Sequence, residues 1–171
     1  MCLHAENNKA TVAEKDLICF KVTHIVTEKR ICRRERIKGG MLTHYEYVSL
    51  EYPEFTSLWY DFTYKYGKTY ECDKFKNRSL LYEITHGFHS WRDSCFNTAK
   101  MSCIGSNNEV ILKCIIPKGT KYYYDRSHYC SQKIRVIGWK RPGERKWHTY
   151  DKASNCNIFE KIRDYFKEIM F

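Results

Sequence analysis

The sequence predicts an α+β fold, a mixed or mainly antiparallel sheet with an amphipathic helix packed on it from the C-terminal end. Short runs rich in β-branched and aromatic residues, such as EVILKCII (109–116) and KIRVIGW (133–139), recur along the chain between turn residues. Near the end the apolar period becomes helical, with Ile158, Ile162, Tyr165, Phe166 and Ile169 on one side. The 171 residues fit a single domain, and no stretch has the composition of a linker.

Each element follows from local chemistry. Residues 1–15 are polar and expected to be loosely held. LICFKV (17–22) opens a sheet-rich core assigned to 16–140, and its alternation sets Phe20 on one face and Lys21 on the other. Gly39 and Gly40 punctuate the chain before MLTHYEYVSLEY, which suits a strand. Tyrosine is dense from Tyr45 to Tyr70, as expected for one aromatic face of an antiparallel sheet, although aromatics interleaved with lysine also stack bases. EVILKCII is the clearest strand, ended by Pro117 and Gly119. KIRVIGW is another, after the polar, tyrosine-rich connection TKYYYDRSHYCSQ. Residues 141–156 read as a charged loop and 157–170 as the terminal helix, with Asn157 its cap and Glu160 three residues on.

Composition narrows the function. The net charge of +10 favours an anionic partner. Half of that excess lies in KRICRRERIK, where Lys29, Arg30, Arg33, Arg34, Arg36 and Lys38 face only Glu35, six positive against one negative. The strip reads either as a phosphate-contacting surface or as a solvated hairpin or loop. No apolar run reaches the length of a membrane span and the first residues lack a signal peptide's apolar core, so the expected address is the cytoplasm, with no membrane partner. The nine cysteines include no Cys-x2-Cys pair, and reduced thiols with no metal are expected.

One stretch, THGFHSW (85–91), concentrates chemistry. On a strand, His86 and His89 point to opposite faces, which argues against shared metal ligation and leaves His89 to act alone as a base or hydrogen-bonding group. No G-x-S-x-G, P-loop or G-x-G-x-x-G occurs.

Taken in order, ICFKV, GFHSW and VILKCIIPKGTKYYYD with YCSQKIRVIG resemble a group of short proteins from bacteria and their phages. The same stretches resemble the signature segments of the mono-ADP-ribosyltransferase family. That likeness implies an ADP-ribosyltransferase-like fold using NAD, with Lys21 at the family's arginine, Gly87, Phe88 and Ser90 in its central segment, and Pro117, Gly119 and Thr120 in its later strand. Trp91 then replaces a threonine, while Gln132 and Ile134 stand at the two glutamates. Lysine offers a point charge where arginine offers a fork, and isoleucine cannot stabilise positive charge on a ribose. Glu109 and Asp125 are the candidate substitute acids.

The expected function is therefore a small basic binding protein, phage- or mobile-element-associated by its resemblance, that engages a nucleotide or nucleic acid. Its candidate residues are the 29–38 strip and a ligand site of Lys21, Gly87, Phe88, His89, Ser90 and Trp91. The alternatives are an ADP-ribosyltransferase-like enzyme with altered catalytic residues, and an interaction factor that inhibits a host system by binding an acidic host protein.

Overall fold

A computed structural model describes residues 3–6, 9–58, 61–73, 75, 83–84, 86–103 and 108–149. Its strands are β1 (Leu3–His4), β2 (Thr11–Val12), β3 (Leu17–Ile37), β4 (Gly40–Ser57), β5 (Thr63–Lys65), β6 (Thr69–Glu71), β7 (Glu83–Ile84), β8 (Phe88–Arg92), β9 (Glu109–Ile116), β10 (Lys121–Tyr124), β11 (His128–Ser131) and β12 (Lys133–Lys140). One helix, α1 (Phe96–Met101), follows a 3-10 turn at Asp93–Cys95.

The main sheet runs β2-β10-β11-β8-β3-β9-β12-β6, with β4 added to β3 and β5 to β4, and its paired strands are antiparallel. β1 and β7 form a separate pair. EVILKCII earns its central place between β3 and β12 because it is apolar on both sides: Val110, Ile111, Leu112, Cys114 and Ile116 are fully buried. A buried Leu or Ile side chain contributes about 1.5–3 kcal/mol relative to exposure, so this strand anchors the sheet.

Each face is covered by a different part of the chain. On the first, Cys19, Leu112, Cys114, Ile134 and Val136 pack with Phe55, Tyr64, Phe62 and Tyr70, which lie in the segment from β4 to β6. That segment closes against β12, where the Tyr66 hydroxyl donates to the Ile137 carbonyl at 2.8 Å. On the second face, Phe20 and Ile111 meet α1 through Ala99 and Phe96, and Trp147 stacks on Phe20 with 5.8 Å between ring centroids.

This architecture corrects the α+β expectation: the described residues form a largely all-β, antiparallel structure. The reason is physical, since among the described residues the sheet's own continuation, one short helix and the 141–149 segment pack on its faces. The helix expected over 157–170 lies outside the described residues. The polar, tyrosine-rich connection TKYYYDRSHYCSQ forms the β10–β11 hairpin. Asp125 shapes its turn, accepting the backbone N–H groups of Ser127 and His128, both at 2.7 Å.

Candidate functional site

The sequence's basic strip is the outer half of a long β-arm. β3 and β4 pair from Thr23↔Ser57 out to Ile37↔Gly40, joined by a turn at Lys38 and Gly39. Gly39 adopts φ +108°, a conformation glycine reaches at little steric cost. Every residue from 27 to 49 is exposed, so beyond its root the arm touches no core. From Glu28 to Ile37 it extends roughly 30 Å at the usual rise of a strand.

Register sorts this arm into two different faces. Residues opposite one another share a face, so Arg30, Cys32, Arg34 and Arg36 lie with Tyr47, Tyr45, Thr43 and Met41. The Arg30 guanidinium sits 3.7 Å from the Tyr45 ring centroid, a diagonal cation–π contact that holds both side chains over this face. The other face carries Lys29, Ile31, Arg33, Glu35 and Ile37 with Val48, Glu46, His44 and Leu42. Its charges offset one another, and Lys29 is already held by Glu54 at 2.7 Å. The strip seen in the sequence is thus split, and one face joins Arg30, Arg34 and Arg36 to the open rings of Tyr45 and Tyr47, with Glu28 at its inner end.

A second site arises where a neighbour of β3 changes. β8 pairs with Cys19 and Phe20, whereas β4 begins its pairing at Thr23. Between them, along Lys21 and Val22, neither strand pairs with that edge, and a cavity of about 510 Å³ opens. Phe62, Tyr64 and Phe88 line it as an edge-to-face aromatic wall, with Phe20 and Trp91 also at its boundary. Lys21 uses the gap: its ammonium donates to the carbonyl oxygen of His89 and lies 5.5 Å from the Tyr64 ring centroid.

The electrostatics of the cavity follow from burial. Loss of water pushes the Lys21 ammonium below its ordinary range, and the raised Cys19, Cys114 and Cys130 thiols beside it supply no carboxylate. Burial, reinforced by the Lys21 charge, lowers His89 to about 4. Its ring is therefore neutral near pH 7, with Nε2 at 3.5 Å from the Cys130 sulfur and Nδ1 buried without a partner. Burial raises Cys130 to about 12, so this thiol is no nucleophile at neutral pH. His128, tilted against Trp91 with 4.1 Å between ring centroids, has Nδ1 at 3.4 Å from Asp125 and 2.9 Å from the Ser127 hydroxyl, while its Nε2 is buried without a partner.

Gly87 explains the start of β8. It has φ +138°, and a Cβ there would stand 2.6 Å from the Cys130 sulfur and 3.0 Å from the Phe75 ring. A strained backbone and a blocked approach act together, so Gly87→Ala is expected to lower unfolding stability by about 2 kcal/mol. Urea denaturation checks this, and an unchanged midpoint would show that the segment relaxes freely.

The structure brings Lys21, Gly87, Phe88, His89, Ser90 and Trp91 to one cavity. Ile134 is not part of it; it lies fully buried in the core opposite Tyr70. Glu109 and Asp125 do not line it either. Among the described residues the acid that does is Glu71, on β6, 3.0 Å from Lys133 and 3.4 Å from the Gln132 amide. Sequence reasoning missed Glu71, His128 and Phe62 because strand register, rather than proximity in the chain, delivers them. Among the described residues no cluster of three potential metal ligands occurs, and no helix is long and apolar enough to cross a membrane. In comparisons with protein-family models, curated proteins and solved structures, nothing matches the chain significantly.

Proposed function

We propose that the protein binds single-stranded nucleic acid along the cationic, aromatic face of its β-arm. The observation that carries this reading is the register that lines up Arg30, Arg34 and Arg36 beside Tyr45 and Tyr47. Guanidinium groups pair with successive phosphates, while exposed tyrosine rings offer platforms for unpaired bases. Tyr45 and Tyr47 are 58% and 69% exposed, so their rings are open to a ligand. The arm's width also fits a nucleic-acid groove, but duplex bases are already stacked and would leave these rings unused.

Fluorescence anisotropy with labelled oligonucleotides tests the proposal. Affinity is expected to fall steeply as salt rises, and to be greater for a single strand than for a duplex of the same length. Absence of binding at low salt retires the reading in favour of an acidic protein partner. Association with phage or mobile elements, and a cytoplasmic address, rest on the sequence alone.

A second reading, ADP-ribosyl transfer from NAD, is favoured by one observation: Lys21, Gly87, Phe88, Ser90 and Trp91 share a cavity with the acid Glu71. Glu71 would then be the group facing the ribose. Thermal shift with millimolar NAD and transfer of labelled ADP-ribose decide it. No shift and no transfer dispose of it.

A further inference from the structure

We propose that the cavity between β3 and β8 is a pocket for one unpaired nucleobase of the strand that the arm holds. This inference rests on the nucleic-acid reading and names what a second site on the same ligand would take.

Three features lead to it. The first is an aromatic wall, formed by Phe62, Tyr64 and Phe88, of the kind on which a planar ring stacks. The second is a desolvated cation with donors to spare. Lys21 has three N–H donors, and its hydrogen bond inside the protein goes to the His89 carbonyl. Ammonium N–H groups held away from water without an acceptor are costly, so a ligand acceptor that meets them has a clear energetic reason to bind.

A flat ring that offers a carbonyl acceptor on its edge satisfies Lys21 while it stacks on the wall. Nucleobases have that pattern, and a base is the planar ring that a strand held along the arm carries to the cavity. The third feature is position. Val22, Ser57 and Leu58, at the root of the arm, line the same cavity, so a strand lying along the arm reaches it without leaving the protein surface. The volume of about 510 Å³ accommodates a base with its sugar. Unstacking is inexpensive for a base that is already single-stranded.

Photo-crosslinking tests the pocket separately from the arm. A single strand of about 12 nucleotides carrying one 5-iodouracil is irradiated on the full chain, and crosslinked peptides are mapped by mass spectrometry. The expected result is two sites, one at Tyr45 or Tyr47 and one within residues 86–92. Lys21→Met, compared at saturating protein, should lower the second crosslink at least about five-fold if the ammonium holds the base edge. Crosslinks confined to the arm overturn the pocket and leave the arm intact. No binding at all removes both. Equal cavity crosslinking in Lys21→Met overturns the assigned donor, and circular dichroism of that variant establishes that it is folded.

Discussion

Reversing Arg30, Arg34 and Arg36 to glutamate is expected to weaken single-strand binding by at least about 100-fold at 0.1 M salt. Each phosphate contact contributes a slope of about 0.7 in log affinity against log salt for single strands, so three contacts carry roughly two decades between 1 M and 0.1 M. Reversal adds repulsion to that loss. The fold should survive, because these residues are exposed and Arg30, the one with a ring contact, meets only Tyr45 on the arm. The informative control is Arg33→Glu, which removes a charge of the same kind from the opposite face, where Glu35 and Glu46 already balance it. It should cost less than about three-fold, the effect of changed net charge alone. Equal losses from single reversals at Arg33 and Arg34 would mean that the arm acts as a diffuse cationic rod, and the facial assignment would be wrong. Tyr47→Ala adds an independent arm, with an expected loss of about 1–3 kcal/mol if a base stacks there. Salt dependence should stay unchanged in that variant.

The same arm shows how far the sequence could be read. Its charge was visible as KRICRRERIK, and its returning half as the strand-like run MLTHYEYVSLEY after Gly39 and Gly40. Nothing local reveals that β3 continues unbroken from the core at Leu17 to the tip at Ile37, because the outer half has no buried face and therefore no alternation to read. The strands β9 and β12 were legible because burial imposes β-rich apolar runs on them. β10 and β11 were not, since Tyr122, Tyr124 and Tyr129 are only partly buried and the polar turn around Asp125 dominates the composition. The tyrosine-rich stretch divides between the two expectations for it: Tyr45, Tyr47 and Tyr52 are exposed on the arm, while Tyr64, Tyr66 and Tyr70 pack in or against the core.

For the cavity, GFHSW pointed to β8, and alternation correctly separated Phe20 from Lys21. What could not be read is the break in pairing at Lys21 and Val22, which depends on where β4 begins its contact with β3. An edge vacated between two strands is a property of topology, and it is what makes Lys21 a cavity residue instead of another buried strand position. His89 shows the same limit: the sequence offered it as a base, but burial, reinforced by the Lys21 charge, keeps it neutral and out of acid–base work near pH 7.

That neutrality has a measurable consequence, an acid-dependent loss of stability centred on one histidine. His89 has a folded-state pKa of about 4 against an ordinary value of 6.5. Between those limits the unfolded chain binds a proton that the folded chain refuses, so unfolding becomes easier as pH falls. The contribution is fully present above about pH 6.5 and is lost as pH drops towards 4. Integrated from about pH 7 to pH 5, it amounts to about 2 kcal/mol, or roughly 4–8 °C in Tm for a chain of this size. Burial is the main cause and the Lys21 charge adds to it, whereas Asp125 pulls weakly the other way and His128 opposes protonation. Carboxylates that are held low, such as Glu54 between Lys29 and Lys65, lose their share only further into acid and leave this window clear. His89→Gln removes the titrating group while keeping polar atoms beside Cys130, and should flatten the stability curve between pH 7 and 5 by about 2 kcal/mol relative to the parent. Parallel curves for parent and variant would show that protons reach the His89 ring in the folded protein, and that the cavity is wetter than its aromatic wall implies. A base bound in the cavity would shield His89 further, so saturating single-stranded oligonucleotide should preserve more of the parent's stability at pH 5 than the same oligonucleotide preserves in Lys21→Met.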